Sequence, residues 1–188
     1  MGPLQYLINA LISMFSKKQV VDENPLITTA PPSDSPNGVQ LDALITKHEG
    51  IRLNVYKDQY GNPTIGIGHN LNASPLPVGW TTPLTVQQAQ SLLQNDVCVV
   101  GDKLSASLSW FEELEDSDQV RAAVLVDMGF NMGVADLLTF KTFLSLVSAG
   151  EYDKAADDLT NTLWAKQVPV RAAEDIQMIR TGQWPEGI

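Results

Sequence analysis

The chain has 188 residues, with 12 Lys and Arg against 22 Asp and Glu, a net charge of −10. This length fits one domain or two small lobes, and a chain of this size can bury about 70% of its surface. The acidic balance excludes a basic nucleic-acid binder and nonspecific adhesion to anionic membranes. The lone Cys98 excludes an intrachain disulfide and a cysteine zinc cluster.

In residues 1–18, Leu4, Leu7, Ile8, Leu11, Ile12 and Phe15 recur at helical spacing, with Gln5, Asn9, Ser13 and Ser16 opposite and Pro3 suited to the first turn. The spacing predicts an amphipathic helix about 21 Å long, shorter than a ~30 Å hydrocarbon core. No basic segment precedes the apolar one, so a signal peptide is not expected. Two readings stand open: contact with a membrane surface or a partner protein, or folding back onto the main domain. Residues 19–38, with Pro25, Pro31, Pro32 and Pro36, read as an extended linker. The compact domain is expected over 39–188.

Leu41, Leu44, Ile45 and His48 share one helical stripe, which Gly50 stops. RLNVYKD and TIGIGH then alternate around Gln59-Tyr60-Gly61-Asn62-Pro63, a hairpin pattern. Pro75, Pro77, Gly79 and Pro83 mark a loop. Thr85-Val-Gln-Gln resembles a capping box opening a long helix toward Leu104. Helical segments are expected near 118–132, 136–149, 151–165 and 169–181, separated by Gly133, Gly150 and Pro169. The pattern predicts an α+β chain: a small lobe over about 39–85, an interlobe helix over about 85–105, and an all-helical lobe over about 106–188. A cleft between two lobes is a common place for a substrate.

Chemistry concentrates in residues 48–71. Glu49 ends its helix, where the negative end of the helix dipole favours a protonated carboxyl, the form a general acid needs. Burial at a lobe junction acts in the same direction, and Arg52 opposes it. With residues 59–63 as the loop, Asp58 and Thr64 are expected opposite each other, able to hold a water between carboxylate and hydroxyl. Two carboxyl groups and a positioned water suit inverting glycoside hydrolysis. Spacing alone is weak evidence: a helix-end Glu, a turn Asp and a strand Thr also occur without catalysis.

The runs Glu49-Gly-Ile-Arg-Leu, Tyr56-Lys-Asp58 and Thr64-Ile-Gly-Ile-Gly-His69 resemble the active-site region of phage-type lysozymes, the T-even phage muramidase family (glycoside hydrolase family 24). Gln94-Asn-Asp96-Val, Met128-Gly-Phe130-Asn131-Met-Gly133, Trp164, Pro169-Val-Arg171-Ala and Arg180-Thr-Gly-Gln-Trp184 follow in order, so the resemblance spans about 39–186. It implies a two-lobed α+β lysozyme fold and cleavage of the β-1,4 bond between N-acetylmuramic acid and N-acetylglucosamine in peptidoglycan. Glu49 matches the general acid, Asp58 the second carboxylate, and Thr64 the threonine that helps place water. Arg171 matches an arginine steadying the glutamate. His69 and Asp96 match a structural ion pair. Phe130 matches a cleft-lining position, as does Asn131, which stands where the family usually has Gln.

The resemblance further implies a monomer with no metal or cofactor, encoded by a phage and acting on the host cell envelope as an endolysin or from the virion. A lytic transglycosylase, which leaves an anhydro sugar, and an inactive wall-binding virion protein are the rivals. Gly66 and Gly68 are not a dinucleotide fingerprint, because Leu71 occupies the third glycine position. Trp164 and Trp184 are expected in packing, the acidic run 112–118 in a solvated helix start or loop, and Cys98 as a buried apolar residue.

Overall fold

The computed structural model describes residues 36–188. The expected N-terminal helix over 1–18 and most of the linker lie outside the described residues. The first helix, α1, runs Pro36–Glu49, three residues ahead of the expected domain start. Leu41, Leu44 and Ile45 are its buried stripe. Gly50 ends it with φ +69°, donating its N–H to Thr46 O at 2.9 Å. Only glycine adopts that left-handed conformation without a steric penalty.

Three short strands follow: β1 (Arg52–Lys57), β2 (Pro63–Gly66) and β3 (His69–Asn70), an antiparallel sheet in the order β1-β2-β3. The expected TIGIGH strand is thus broken after Gly66, and its last residue begins β3. Ile65 and Ile67 are fully buried. Helix α2 (Val86–Ser107) is capped by Thr85. The Thr85 hydroxyl accepts from Gln88 N at 3.1 Å, and Gln88 Oε1 accepts from Thr85 N at 2.8 Å, closing the expected capping box. Twenty-two residues at 1.5 Å make this helix ~33 Å long. Near its start Leu92 joins a small core with Ile65 and Leu84, while Ala89, Leu93 and Leu104 belong to the large one. One helix therefore ties both cores together. Cys98 is exposed, contrary to expectation. It lies beside exposed Val99, on the face of α2 turned from both cores.

The helical lobe holds α3 (Phe111–Ser117), α4 (Gln119–Met132), α5 (Val134–Leu137), α6 (Lys141–Ser148), α7 (Tyr152–Thr160), α8 (Leu163–Gln167) and α9 (Pro169–Thr181). Every residue of α4 from Ala122 to Gly129 is buried, so this helix is enclosed on all sides. The acidic run forms α3, with Glu112 and Glu113 in its first turn. The segment expected over 136–149 is two helices, parted where the Thr139 hydroxyl donates to Asp136 O at 2.7 Å. The segment over 151–165 also divides: the Thr162 side chain accepts from Ala165 N at 3.1 Å and starts α8. Both breaks are side-chain bonds to local backbone, which compete with helix continuation. Among the described residues no helix is long and apolar enough to cross a membrane.

Candidate active site

Between the lobes lies an open cleft of about 950 Å³, lined by Glu49, Tyr56, Asp58 and Thr64 on one side and by Phe130, Asn131 and Trp164 on the other. Glu49 reaches it because α1 ends there. Gly68, at φ +71°, lets the strand pass against the glutamate: a Cβ at Gly68 would stand 3.1 Å from Glu49 Cγ and 3.0 Å from the Phe130 ring. The Glu49 side chain keeps about a quarter of its surface exposed, 24%, so it is open to a ligand. Arg171 Nη2, buried on α9, donates to Glu49 Oε1 at 2.6 Å. That contact fixes the carboxyl plane and leaves Oε2 for a proton.

The register differs from the one expected. Tyr56 pairs with Thr64 and Lys57 with Pro63, so the turn is Asp58–Asn62 and Asp58 lies beyond the strand. Asp58 instead faces Asn62, donating its N–H to Asn62 O at 3.0 Å. Its Oδ1 accepts from the backbone N–H of Tyr60 and of Asn62, each at 2.8 Å, and its Oδ2 accepts from Asn62 Nδ2 at 2.9 Å. An aspartate that closes its own loop in this way sets the turn, which moves the pairing. The Asn62 side chain above all, and then the Asn62, Tyr60 and Gly61 backbone, hold Asp58 below the usual carboxylate value of 3.8 against the opposing effect of burial. An ionised carboxylate offers about four acceptor sites, so one remains for a water.

Thr64 is buried, and its hydroxyl donates to Asn62 O at 3.1 Å. With that proton committed, the oxygen is left to accept from a ligand. Asn62 thus links Asp58 and Thr64, a residue the sequence reading treated only as part of a turn. Tyr56 is a second cleft residue that the sequence pattern does not single out. Its phenol is pushed up by burial first and then by the charge of Glu49, with a further contribution from Asp58, while Arg52 opposes. Arg52 lies over the Tyr56 ring, 4.4 Å from its centroid. Tyr56 lines the same cleft as both carboxyl groups.

Across the cleft, Asn131 Oδ1 accepts from Trp164 Nε1 at 2.8 Å, which leaves the two amide N–H groups of Asn131 free to donate. Trp164 is buried and Trp184 packs against the core. His69 is buried between two acceptors, Asp96 Oδ2 at 2.7 Å and Ser74 O at 2.9 Å. Burial alone would lower its imidazole, but the Asp96 bond and charge carry it above 6.5.

Behind Glu49 lies a cluster the sequence reading missed. Arg171 Nε donates to His48 Nδ1 at 3.0 Å and stands 3.3 Å from Asp127 Oδ2. His48 Nε2 meets Glu174 Oε2 at 3.0 Å, and Lys47 Nζ meets Glu174 Oε1 at 2.6 Å. His48 shares the helical stripe of Leu41, Leu44 and Ile45. It does point inward, but toward charged partners supplied by α4 and α9, which the local pattern cannot reveal.

A three-stranded sheet beside an all-helical lobe, joined by one long helix over a cleft with an acid at a helix end, defines a two-lobed α+β glycoside hydrolase of lysozyme type. The phage lysozyme family model matches residues 46–174, and the chain belongs to that family. It is 30% identical over 157 residues to "Probable T4-type lysozyme 1" of Dictyostelium discoideum, covering 74% of this chain and 92% of the relative. It is 29% identical over 132 residues to "Endolysin" of Salmonella phage P22, covering 70% and 83%. It is also 28% identical over 178 residues to "Pre-baseplate central spike protein Gp5" of Enterobacteria phage T4; this match covers 86% of the chain but only 31% of that much longer protein.

Proposed function

We propose that this protein is a muramidase acting on the glycan strands of bacterial peptidoglycan, cutting the β-1,4 bond between N-acetylmuramic acid and N-acetylglucosamine. The observation that carries this reading is the pairing of two unlike carboxyl groups in one cleft. Glu49 is pinned through one oxygen only, and Asp58 is held as the anion by its own loop. Glu49 Oε2–H protonates the glycosidic oxygen as the bond breaks. A water gives one hydrogen bond to Asp58 and one to Thr64 Oγ1, which leaves a lone pair aimed at the anomeric carbon from the opposite face. Asp58 takes the proton of that water as it attacks, and the product is inverted.

Arg171 steadies Glu49. The Asn131 amide donates to the sugar chain across the cleft, and the Phe130 ring shapes its wall. His69 and Asp96 brace the loop after β3. The cleft lies within one chain, which suits action as a monomer; the similarity to phage endolysins supports action in the host cell envelope, and the steps above draw on side chains and water alone.

Glu49→Gln is expected to lower turnover on purified peptidoglycan by about 10³-fold and Asp58→Asn by about 10²-fold, within the usual range for lost proton-transfer groups. Mass spectrometry of the products distinguishes the rivals. Hydrolysis leaves reducing ends, whereas a lytic transglycosylase leaves anhydro ends lighter by one water. No turbidity loss on permeabilised bacteria would indicate an inactive wall-binding domain.

The similarity to a baseplate spike protein favours a second reading of where the enzyme acts, with residues 1–18 attaching it to a virion protein; the amphipathic spacing of those residues equally suits a membrane surface. A chain starting at Val39 is then expected to stay active and lose co-fractionation with virions or vesicles. Equal fractionation of both forms rules the tether out.

A further inference from the structure

Asp175 lies one turn after Arg171 on α9, on the same helix face, and is fully buried, as is Asp127 on α4. Neither Asp175 oxygen has a hydrogen-bond partner, nor has Asp127 Oδ2. Arg171 Nε is only 3.3 Å from Asp127 Oδ2 but is aimed at His48, so it does not satisfy that oxygen. Two neighbouring buried carboxylates, three of whose four oxygens have no hydrogen-bond partner, would lose their hydration without compensation and repel each other besides. One proton on Asp175 joins one of its oxygens to Asp127 Oδ2 in a hydrogen bond and leaves the other as an uncharged carbonyl oxygen, which costs less to bury than a charged one.

We propose that Asp175 is carried as the neutral acid, donating its proton to Asp127 Oδ2, and that this bond fixes Arg171 beneath Glu49. Asp175 is then a positioning residue that acts through Asp127 and Arg171.

The charges around it agree. From α1 come Lys47, His48 and Glu49, from α4 Asp127, and from α9 Arg171 and Glu174. Lys47 and Arg171 are already shared among the carboxyl groups of Glu49, Asp127 and Glu174, so an ionised Asp175 would have no cation of its own. Burial first, and then the charge of Asp127, push the Asp175 carboxyl well above the ordinary value. Nothing in the linear pattern signals this, because an Asp at this place on α9 reads as part of a solvated face.

The positioning claim rests on the muramidase reading; the proton does not. At pH 7, carbon NMR of protein labelled at aspartate carboxyls is expected to show one resonance at the neutral-acid position, absent in Asp175→Asn. Finding every aspartate ionised overturns the proposal. The amide of Asp175→Asn still donates to Asp127, whereas Asp175→Val cannot. The asparagine variant is expected to keep at least about a third of wild-type kcat on soluble glycan strands, and the valine variant to lose about tenfold in kcat with KM within about twofold. Asp175→Ser against Asp175→Ala, a smaller donor and non-donor, is the same comparison should valine not fold. Equal kcat within each pair removes the positioning role. The Arg171 Nε–H resonance, moved only in the non-donor variants, reports the same contrast without turnover. If the wild-type chain cleaves no glycan, the function falls while both NMR readouts still decide the proton and the Arg171 contact.

Discussion

Asn62 organises both halves of the water site. Its side-chain amide donates to Asp58, and its backbone carbonyl oxygen accepts from the Thr64 hydroxyl. Asn62→Ala removes the largest influence keeping Asp58 ionised, so the Asp58 carboxyl rises toward 3.8 and the acid limb of the pH–rate profile moves up with it. Turnover at neutral pH is expected to fall by about tenfold as the water loses its fixed partners. An unchanged acid limb would detach Asp58 from catalysis. The His69–Asp96 pair acts on stability. Because the folded imidazole lies above 6.5, the stability it confers is fully present below about 6.5 and is lost as pH rises through the folded value. Asp96→Asn is expected to cost about 1.5–3 kcal/mol at pH 6, and less as the pH rises through that value. Urea unfolding of both proteins at a series of pH values measures it.

Elements with strong local signals were legible in the sequence. The α2 start was readable because Thr85 and Gln88 cap each other, a bond that depends on no distant contact. Thr85→Ala is expected to cost about 1 kcal/mol with little effect on turnover. The splitting of two expected helices and the turn at Asp58 came from single side chains bonding nearby backbone, a choice that periodicity does not report. Glu49, Asp58 and Thr64 were legible as a motif, but their arrangement was not, because Asp58 closes its own loop and shifts the register. The His48, Asp127, Arg171 and Asp175 cluster was invisible except for Arg171. Its members come from three helices that only tertiary packing assembles. Gly68 shows how tightly an element can be tied to the site. Gly68→Ala would strain a left-handed backbone and press on Glu49 and Phe130, so turnover is expected to fall by more than about tenfold. Kinetics beside thermal unfolding of the variant tests whether the site is lost more than the fold.

Across the whole molecule, two cores share one connecting helix, and the cleft lies between them. The overall fold class was readable because helices dominate after Thr85 and strands precede it. The net charge of −10 sets how the enzyme meets an anionic wall. Repulsion acts over about 8–10 Å at physiological salt and is screened as salt rises. Lysis of permeabilised cells is therefore expected to speed up by about two- to threefold between 0.01 and 0.15 M salt. Faster lysis at the lower salt would mean that the cleft-bearing face is locally basic enough to outweigh the total. The most direct measurement is digestion of purified peptidoglycan in heavy-oxygen water, followed by mass spectrometry of the released ends. The muramidase account predicts one heavy oxygen on each new reducing muramic acid end, with release abolished by Glu49→Gln. Anhydro ends without the label, or undiminished release by that variant, would contradict it.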